Sequence, residues 1–246
     1  MASLSGNTIA STFTGLLKTN DNGARGATAS ADQCSDGSGN TIPLFVSAAE
    51  VYAIGSGTGT SHTAFGKDCG VNLAAGTGNS LFGEGAGADV TTGEHNTAVG
   101  YRALYQGTTE TNDNVAVGFN AMSGAWTTAS VIDCVVIGSG AGAGALVGGA
   151  SGLTAVGKAA GAAITEGQKN TAIGYGALTA ETDGDFSVAV GYNSLAASTG
   201  GGGTMGNTAV GYLAGSALTT GTQNVVVGYL AMDAADATES DNIAIG

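Results

Sequence analysis

The stretch NTAVGYRAL, residues 96–104, decides the fold. It returns as NVAVGFNAM from Asn114, NTAIGYGAL from Asn170, NTAVGYLAG from Asn207 and NVVVGYLAM from Asn224. Looser copies begin at His62 (HTAFGKDCG), Asn79 (NSLFGEGAG), Cys134 (CVVIGSGAG), Leu153 (LTAVGKAAG) and Ser187 (SVAVGYNSL). VYAIG at Val51 opens the series and NIAIG at Asn242 closes it. Each copy is anchored by one glycine: Gly55, Gly66, Gly83, Gly100, Gly118, Gly138, Gly157, Gly174, Gly191, Gly211, Gly228 and Gly246. Their spacings are 11, 17, 17, 18, 20, 19, 17, 17, 20, 17 and 18. So regular a period marks a stack of short structural units. The short first spacing reads as an incomplete capping coil.

A unit of 17 residues is too short for two helices and their turns, but it suits two short strands and two turns. The residue before the anchor glycine is Val, Ile or Phe in all twelve copies, and the one before that is Ala in nine. Neighbouring Val, Ile and Thr favour strand over helix. Glycine at the strand's end permits a sharp bend or a close backbone approach. Each repeat therefore reads as strand, tight turn, a second short strand at Ala103-Leu104 and its equivalents, and a Thr/Gly-rich return such as Thr91-Thr92-Gly93. Successive identical strands stack as parallel neighbours about 4.8 Å apart. The expectation is an all-β, parallel β-solenoid of 11–12 coils with repeats of 17–20 residues, a rod of roughly 50 Å by that spacing. Asn79, Asn96, Asn114, Asn170, Asn207, Asn224 and Asn242 recur at the strand's start, where each amide can bond the next coil as a ladder.

Residues 1–50 break the period and read as a separate attachment module. Ile9, Phe13, Leu16 and Leu17 share one face of a short helix, and Thr41 to Val46 reads as a strand. Residues 51–246 form the repeat domain.

Composition narrows the function classes. Glycine is 45 of 246 residues, about 18% against roughly 7% in ordinary proteins. Pro occurs once, so the chain is not collagen. Charged residues are only 10% against 43% hydrophobic, which excludes a disordered chain. The net charge of −13 argues against nucleic-acid and anionic-membrane partners. No apolar run approaches the ~20 residues of a membrane span. The first residues, MASLSGNTIA, lack the pattern of a secretory signal. Three cysteines (Cys34, Cys69, Cys134) make no disulfide framework. Cys69 and Cys134 sit about four coils apart, ~19 Å by the coil rise, beyond disulfide reach.

Several strands are apolar on both faces, notably Val135-Val136-Ile137, Val188-Ala189-Val190 and Val225-Val226-Val227. One parity fills the coil. The other leaves a lengthwise apolar stripe, which marks an interface and suits three chains around an axis. Val99, Val117, Ile137, Val156, Ile173, Val190, Val210 and Val227 are the candidates for core or trimer packing. Tyr101, Phe119, Tyr175, Tyr192, Tyr212 and Tyr229 follow anchor glycines and line one edge of the rod. Exposed, they make a carbohydrate-stacking ladder; buried, they pack between chains, the reading preferred here.

Other constellations have plainer readings. His62 and His95 lie two coils apart, with no partner at metal-ligand spacing, and read as solvated strand-start residues. Gly201-x-Gly203-x-x-Gly206 leads into a strand and not a helix, unlike a dinucleotide fingerprint. Asp183-Gly184-Asp185, and Asp32 with Asp36, suit turns better than Ca²⁺. No catalytic triad, cofactor or metal set emerges. The two longest coils hold Trp126 and the run containing Gly201 and Gly202, loops where recognition is expected.

The phrases NTAVGYRAL, NTAIGYGAL and SVAVGYNSL resemble the repeats of trimeric autotransporter adhesin heads. Those heads are left-handed parallel β-rolls that trimerise and bind host surfaces. The Asn-Thr-Ala-Val-Gly-Tyr form with Thr/Gly spacers is still more similar to repeats of bacteriophage tail fibres. TGLLKTNDNG and SDGSGNTIPLFVS resemble the N-termini of such fibres. The resemblance implies a non-enzymatic homotrimer on a virion. Ile9, Phe13, Leu16 and Leu17 would dock it to a tail or capsid protein, and its partner would be a host-surface glycan or protein. The adhesin repeat is shorter, and adhesins carry a signal peptide and a membrane anchor, which favours the phage reading over a bacterial cell-surface location. A capsid decoration trimer is the alternative use of the same roll. The left-handed β-helix acyltransferases, matched by Val99 to Leu104, require three hexapeptides per coil where one is clear here.

Overall fold

A computed structural model describes residues 62–246 apart from 107–109, 126–129, 147–149 and 235–236, together with the backbone of strands Asp32–Ser35, Thr41–Val46 and Val51–Tyr52. The chain divides into two compact units, Met1–Tyr52 and Ala53–Gly246. In the first, Thr41–Val46 pairs antiparallel with Asp32–Ser35, with Asp32 opposite Val46. The strand at Thr41–Val46 matches the sequence reading. The helix expected over Ile9, Phe13, Leu16 and Leu17 lies outside the described residues, as do residues 53–61 of the expected capping coil.

The second unit is a parallel β-solenoid, and its described residues contain strands and turns but no helix. Eleven three-residue strands, from Thr63–Phe65 to Ile243–Ile245, follow one another through one parallel sheet. Register is kept coil after coil: Thr97, Ala98 and Val99 face Val115, Ala116 and Val117. Two small side ladders tie each 20-residue coil to the coil before it, Val131–Ile132 with Thr111–Asn112 and Gly203–Thr204 with Gly184–Asp185. Extra residues thus form additional ladder and leave the main register intact.

The middle residue of each strand points inward. Ala98, Ala116, Ala155, Ala172, Ala189 and Ala209 are fully buried or nearly so. A methyl group is what the narrow coil admits. Where the middle residue is larger, glycines elsewhere make room. Leu81 packs against Gly70 and Gly87, where an added Cβ would lie 2.9 Å from its Cδ1. Val136 packs likewise against Gly142, with an added Cβ 3.2 Å from its Cγ1. This complementary packing ties sequence differences in separate coils to one dense core.

The second strand expected at Ala103-Leu104 is not a strand. Residues 101–106 form consecutive turns. Arg102 and Leu104 take left-handed backbone angles, φ +51° and +54°. Their N–H groups still bond neighbouring coils, Arg102 to the Glu84 carbonyl at 2.9 Å and Leu104 to the Ala121 carbonyl at 3.0 Å. The reversal turns Leu104 into the core, where it is fully buried. Left-handed angles cost roughly 1–2 kcal/mol in a non-glycine residue, and burying a leucine side chain returns about 1.5–3 kcal/mol. Met122, Leu178 and Leu195 repeat the arrangement. At the equivalent positions Gly70, Gly87, Gly142, Gly161 and Gly215, glycine takes the same angles and leaves the volume to leucine, isoleucine or valine from another segment.

The asparagine ladder is present. Asn96 donates its backbone N–H and its Nδ2 to Asn79 Oδ1, both at 2.9 Å. Asn114 does the same to Asn96 Oδ1 at 3.1 Å. Each Nδ2 also donates to a carbonyl of the return segment, Asn79 to Gly93 and Asn114 to Val131. A second run joins Asn207, Asn224 and Asn242. These amides are bonded and, apart from half-buried Asn242, buried, so they hold the coils in register without leaving orphaned groups.

Candidate binding surface

Because Ala occupies the inward parity, both flanking residues of each strand face outward. The outer face of the sheet carries two columns. One holds Thr97, Val115, Val135, Thr154, Thr171, Val188, Thr208 and Val225. The other holds the sequence-nominated packing residues. Val99, Ile137, Ile173, Val210 and Val227 are exposed by 36–39%, and Val117, Val156 and Val190 are half-buried. These eight residues therefore line the outside of the coil and not its interior. The interior is made by the alanines beside them. Phe65 and Phe82 extend the column and stack at 5.4 Å between ring centroids.

The anchor glycine then bends the chain off this face. From Gly66 to Gly228 the anchors hold φ between +132° and +142°, a region open essentially to glycine alone. The residue after each anchor forms a third column. Lys67 and Glu84 begin it, 3.9 Å apart. Tyr101 and Phe119 stack at 5.3 Å. Ser139 and Lys158 interrupt the rings. Tyr175, Tyr192, Tyr212 and Tyr229 then stack successively at 5.2 Å. Lys158 Nζ sits over the Tyr175 ring at 5.8 Å, and Arg102 lies over Tyr101 and Tyr105 at 5.2 and 4.9 Å. The rings are exposed within the chain, but stacking occupies most of their faces. A continuous carbohydrate-stacking ladder is therefore not on offer, because neighbours in the column cover one another and present their edges.

The other nominated residues are dispersed. Gly201 and Gly202 are exposed. Trp126 lies outside the described residues, and Cys34 is described only by its backbone, in strand Asp32–Ser35. Gly203–Thr204 is strand, and Met205 and Gly206 donate to the Asp185 carbonyl at 3.2 Å. The glycine motif is thus part of a ladder. Asp185 Oδ1 accepts from the Gln168 N–H at 2.7 Å, a bond between coils. His62 takes the first place in the asparagine ladder, where its Nδ1 accepts from the Asn79 N–H at 3.2 Å. His95 Nδ1 lies 3.3 Å from Asp113 Oδ1, and both side chains are exposed. Among the described residues, no group of three or more His, Cys, Asp or Glu is placed to hold a metal ion.

Sequence reasoning missed Glu181, which is fully buried. Its Oε1 accepts from Thr182 N–H at 3.1 Å and Gly184 N–H at 2.8 Å, and its Oε2 accepts from Ser198 Oγ. It pins the start of the Gly184–Asp185 ladder strand, in the 17-residue coil between Gly174 and Gly191. It stands seven residues after Gly174, the place that Val90, Ile164 and Leu218 take after their own anchors, all buried, and Ser198 takes the same place in the next coil.

Cys134 stands in an asparagine place. Its N–H donates to Asn114 Oδ1 at 3.0 Å, and its thiol contacts the Ala150 carbonyl at 3.6 Å. Cys69 and Cys134 are free and buried. Burial pushes each thiol up from 9.0 to about 11. The fold thus favours the neutral thiols. Their contribution to stability is intact below pH 9.0 and is lost as pH rises through about 11. In a Cys34→Ser chain, both thiols are expected to resist an aromatic disulfide reagent at about pH 8 until the protein unfolds. The urea midpoint is expected to fall between about pH 8 and about pH 10, more than in a chain that also carries Cys69→Ala and Cys134→Ala.

Comparison of the chain with protein-family models, curated proteins and solved structures found no match to any of them.

Proposed function

We propose that this chain is a structural fibre protein of a virus particle, a trimeric bacteriophage tail fibre that attaches the particle to its host. The outward Val/Ile column carries the reading. A parallel sheet with an unbroken apolar column along its outer face is an interface in search of a partner. Every coil contributes equivalent residues to one flat face, so an identical chain is the natural complement. Closure around a threefold axis buries all the faces at once, the arrangement that the resemblance to adhesin heads and phage fibres implies. The function is mechanical: a stiff roll projects several copies of a weak site, and avidity replaces tight single contacts. Residues 1–50 supply the attachment to the particle.

The purified chain is expected to scatter light with three times its 23.5 kDa mass. Ile173→Lys is expected to release monomers whose circular dichroism is unchanged, because Ile173 sits outside the coil core. A wild-type chain that is folded and monomeric overturns the interface. Removal of residues 1–50 is expected to leave a folded roll that no longer joins the particle. Gold-labelling of the intact particle locates the protein, and labels on the shell instead of the tail assign it as a decoration trimer.

A further inference from the structure

The aromatic column lacks a ring at two levels, Ser139 and Lys158, and only at the first is the side chain too small to take a ring's place. Phe119 is 55% exposed and stacks on Tyr101 alone, so its opposite face is uncovered by any ring. The next coil places Ser139 there, followed by Gly140, and both side chains are too small to fill the place. A Cβ added to Gly140 would meet nothing within 4 Å. The coil after that brings Lys158, whose ammonium lies over Tyr175 and has no carboxylate within 4.0 Å among the described residues. Two coil rises of about 4.8 Å separate the Phe119 and Lys158 levels. That distance admits one ring at the spacing the tyrosines themselves keep, 5.2 Å.

The groups around this notch are of three kinds: one aromatic face, one hydroxyl and one ammonium. An aromatic face is electron-rich and attracts the polarised C–H bonds of a sugar ring. Ser139 Oγ both donates and accepts, which matches a sugar hydroxyl. Lys158 supplies a point charge for an anion, in a chain with only 6 basic residues and a net charge of −13. A purely apolar ring would leave the hydroxyl and the ammonium unused. We propose that the notch at Ser139-Gly140 receives one pyranose ring bearing a carboxylate, stacked on Phe119 with its carboxylate on Lys158. The proposal rests on the host-attachment reading, for which it names the receptor chemistry: an acidic surface glycan. One shallow notch binds weakly, and repetition in an oligomer multiplies it.

The test uses the full, assembled chain with a tetramer of galacturonic acid, and a tetramer of galactose as the neutral probe. Saturation-transfer NMR and calorimetry are expected to detect the acidic tetramer, with affinity falling as salt rises. Lys158→Met is expected to weaken binding about tenfold, the effect of one charge-assisted contact. Ser139→Tyr is expected to abolish binding while preserving the fold, since it completes the ring column. Equal binding of the neutral tetramer, unchanged binding by both variants, absence of any acidic binding, or preferential capture of a phenylalanine-rich peptide at the same residues overturns the assignment. Cell adhesion separates the two readings. Adhesion that survives Ser139→Tyr removes the notch and keeps attachment. Acidic sugar binding by a chain that does not adhere keeps the notch and removes attachment.

Discussion

Gly100→Ala is expected to break the coil stack near its middle and to lower stability by about 2–6 kcal/mol. Two effects add. Gly100 has φ +132°, and a side chain held there carries backbone strain of about 1–3 kcal/mol. The new Cβ would also lie 2.5 Å from the Gly118 carbonyl oxygen. That oxygen belongs to the next coil's backbone and has no rotamer by which to withdraw. Overpacking of this kind costs about 1–3 kcal/mol. Because each coil rests only on its neighbours, damage at one level uncouples the two halves of the stack. Urea denaturation followed by circular dichroism is expected to show a lower midpoint and a broader transition. Gly201→Ala is the control. An added Cβ at Gly201 meets nothing within 4 Å, and its effect is expected within about 0.5 kcal/mol. Equal behaviour of the two variants would show that the close passage of anchor glycines is unimportant.

Asn96→Ala is expected to cost about 3–5 kcal/mol. The side chain bonds Asn79 Oδ1 at 2.9 Å and the Thr111 carbonyl at 2.5 Å, and accepts from the N–H and Nδ2 of Asn114 at 3.1 Å. Truncation leaves buried partners without it, and each group left unsatisfied costs about 1–3 kcal/mol. Asn96→Asp tests whether the amide's donors matter or only its shape. It sets a carboxylate oxygen against Asn79 Oδ1 and the Thr111 carbonyl. At neutral pH it is expected to be at least as damaging as alanine, by the same denaturation measurement. A near-neutral Asn96→Asp would reduce the ladder to space-filling.

Much of this was readable in the repeat. The Val/Ile-Gly step implied a strand ending in a bend, and the bend needs a φ that glycine supplies. The recurrent asparagines implied a ladder, and even Cys134 and His62 fall in its places. Ala103-Leu104 misled, because leucine is no sign of a left-handed turn. The sign lay in the equivalent positions of other coils, where Gly70, Gly87, Gly142, Gly161 and Gly215 stand. A position shared by glycine and leucine needs a positive φ and abuts the core. Glu181 carried half a sign: its place, seven residues after the anchor, is held by buried Val90, Ile164 and Leu218 in other coils, but a lone carboxylate in that place does not name its partners Thr182, Gly184 and Ser198.

Local chemistry along the chain was enough to specify strands, period, parallel order and the bonds between asparagines, because each depends on residue type at a fixed interval. Which way the strands face was not, for a run such as Val225-Val226-Val227 is apolar in either orientation. Three-dimensional packing settles it: the coil's interior is too narrow for much beyond a methyl group at most levels, so alanine goes in and valine and isoleucine go out. The same stacking brings Tyr101 onto Phe119 and Tyr175 onto Tyr192, and leaves two levels without a ring between them, one holding only Ser139 and the other Lys158.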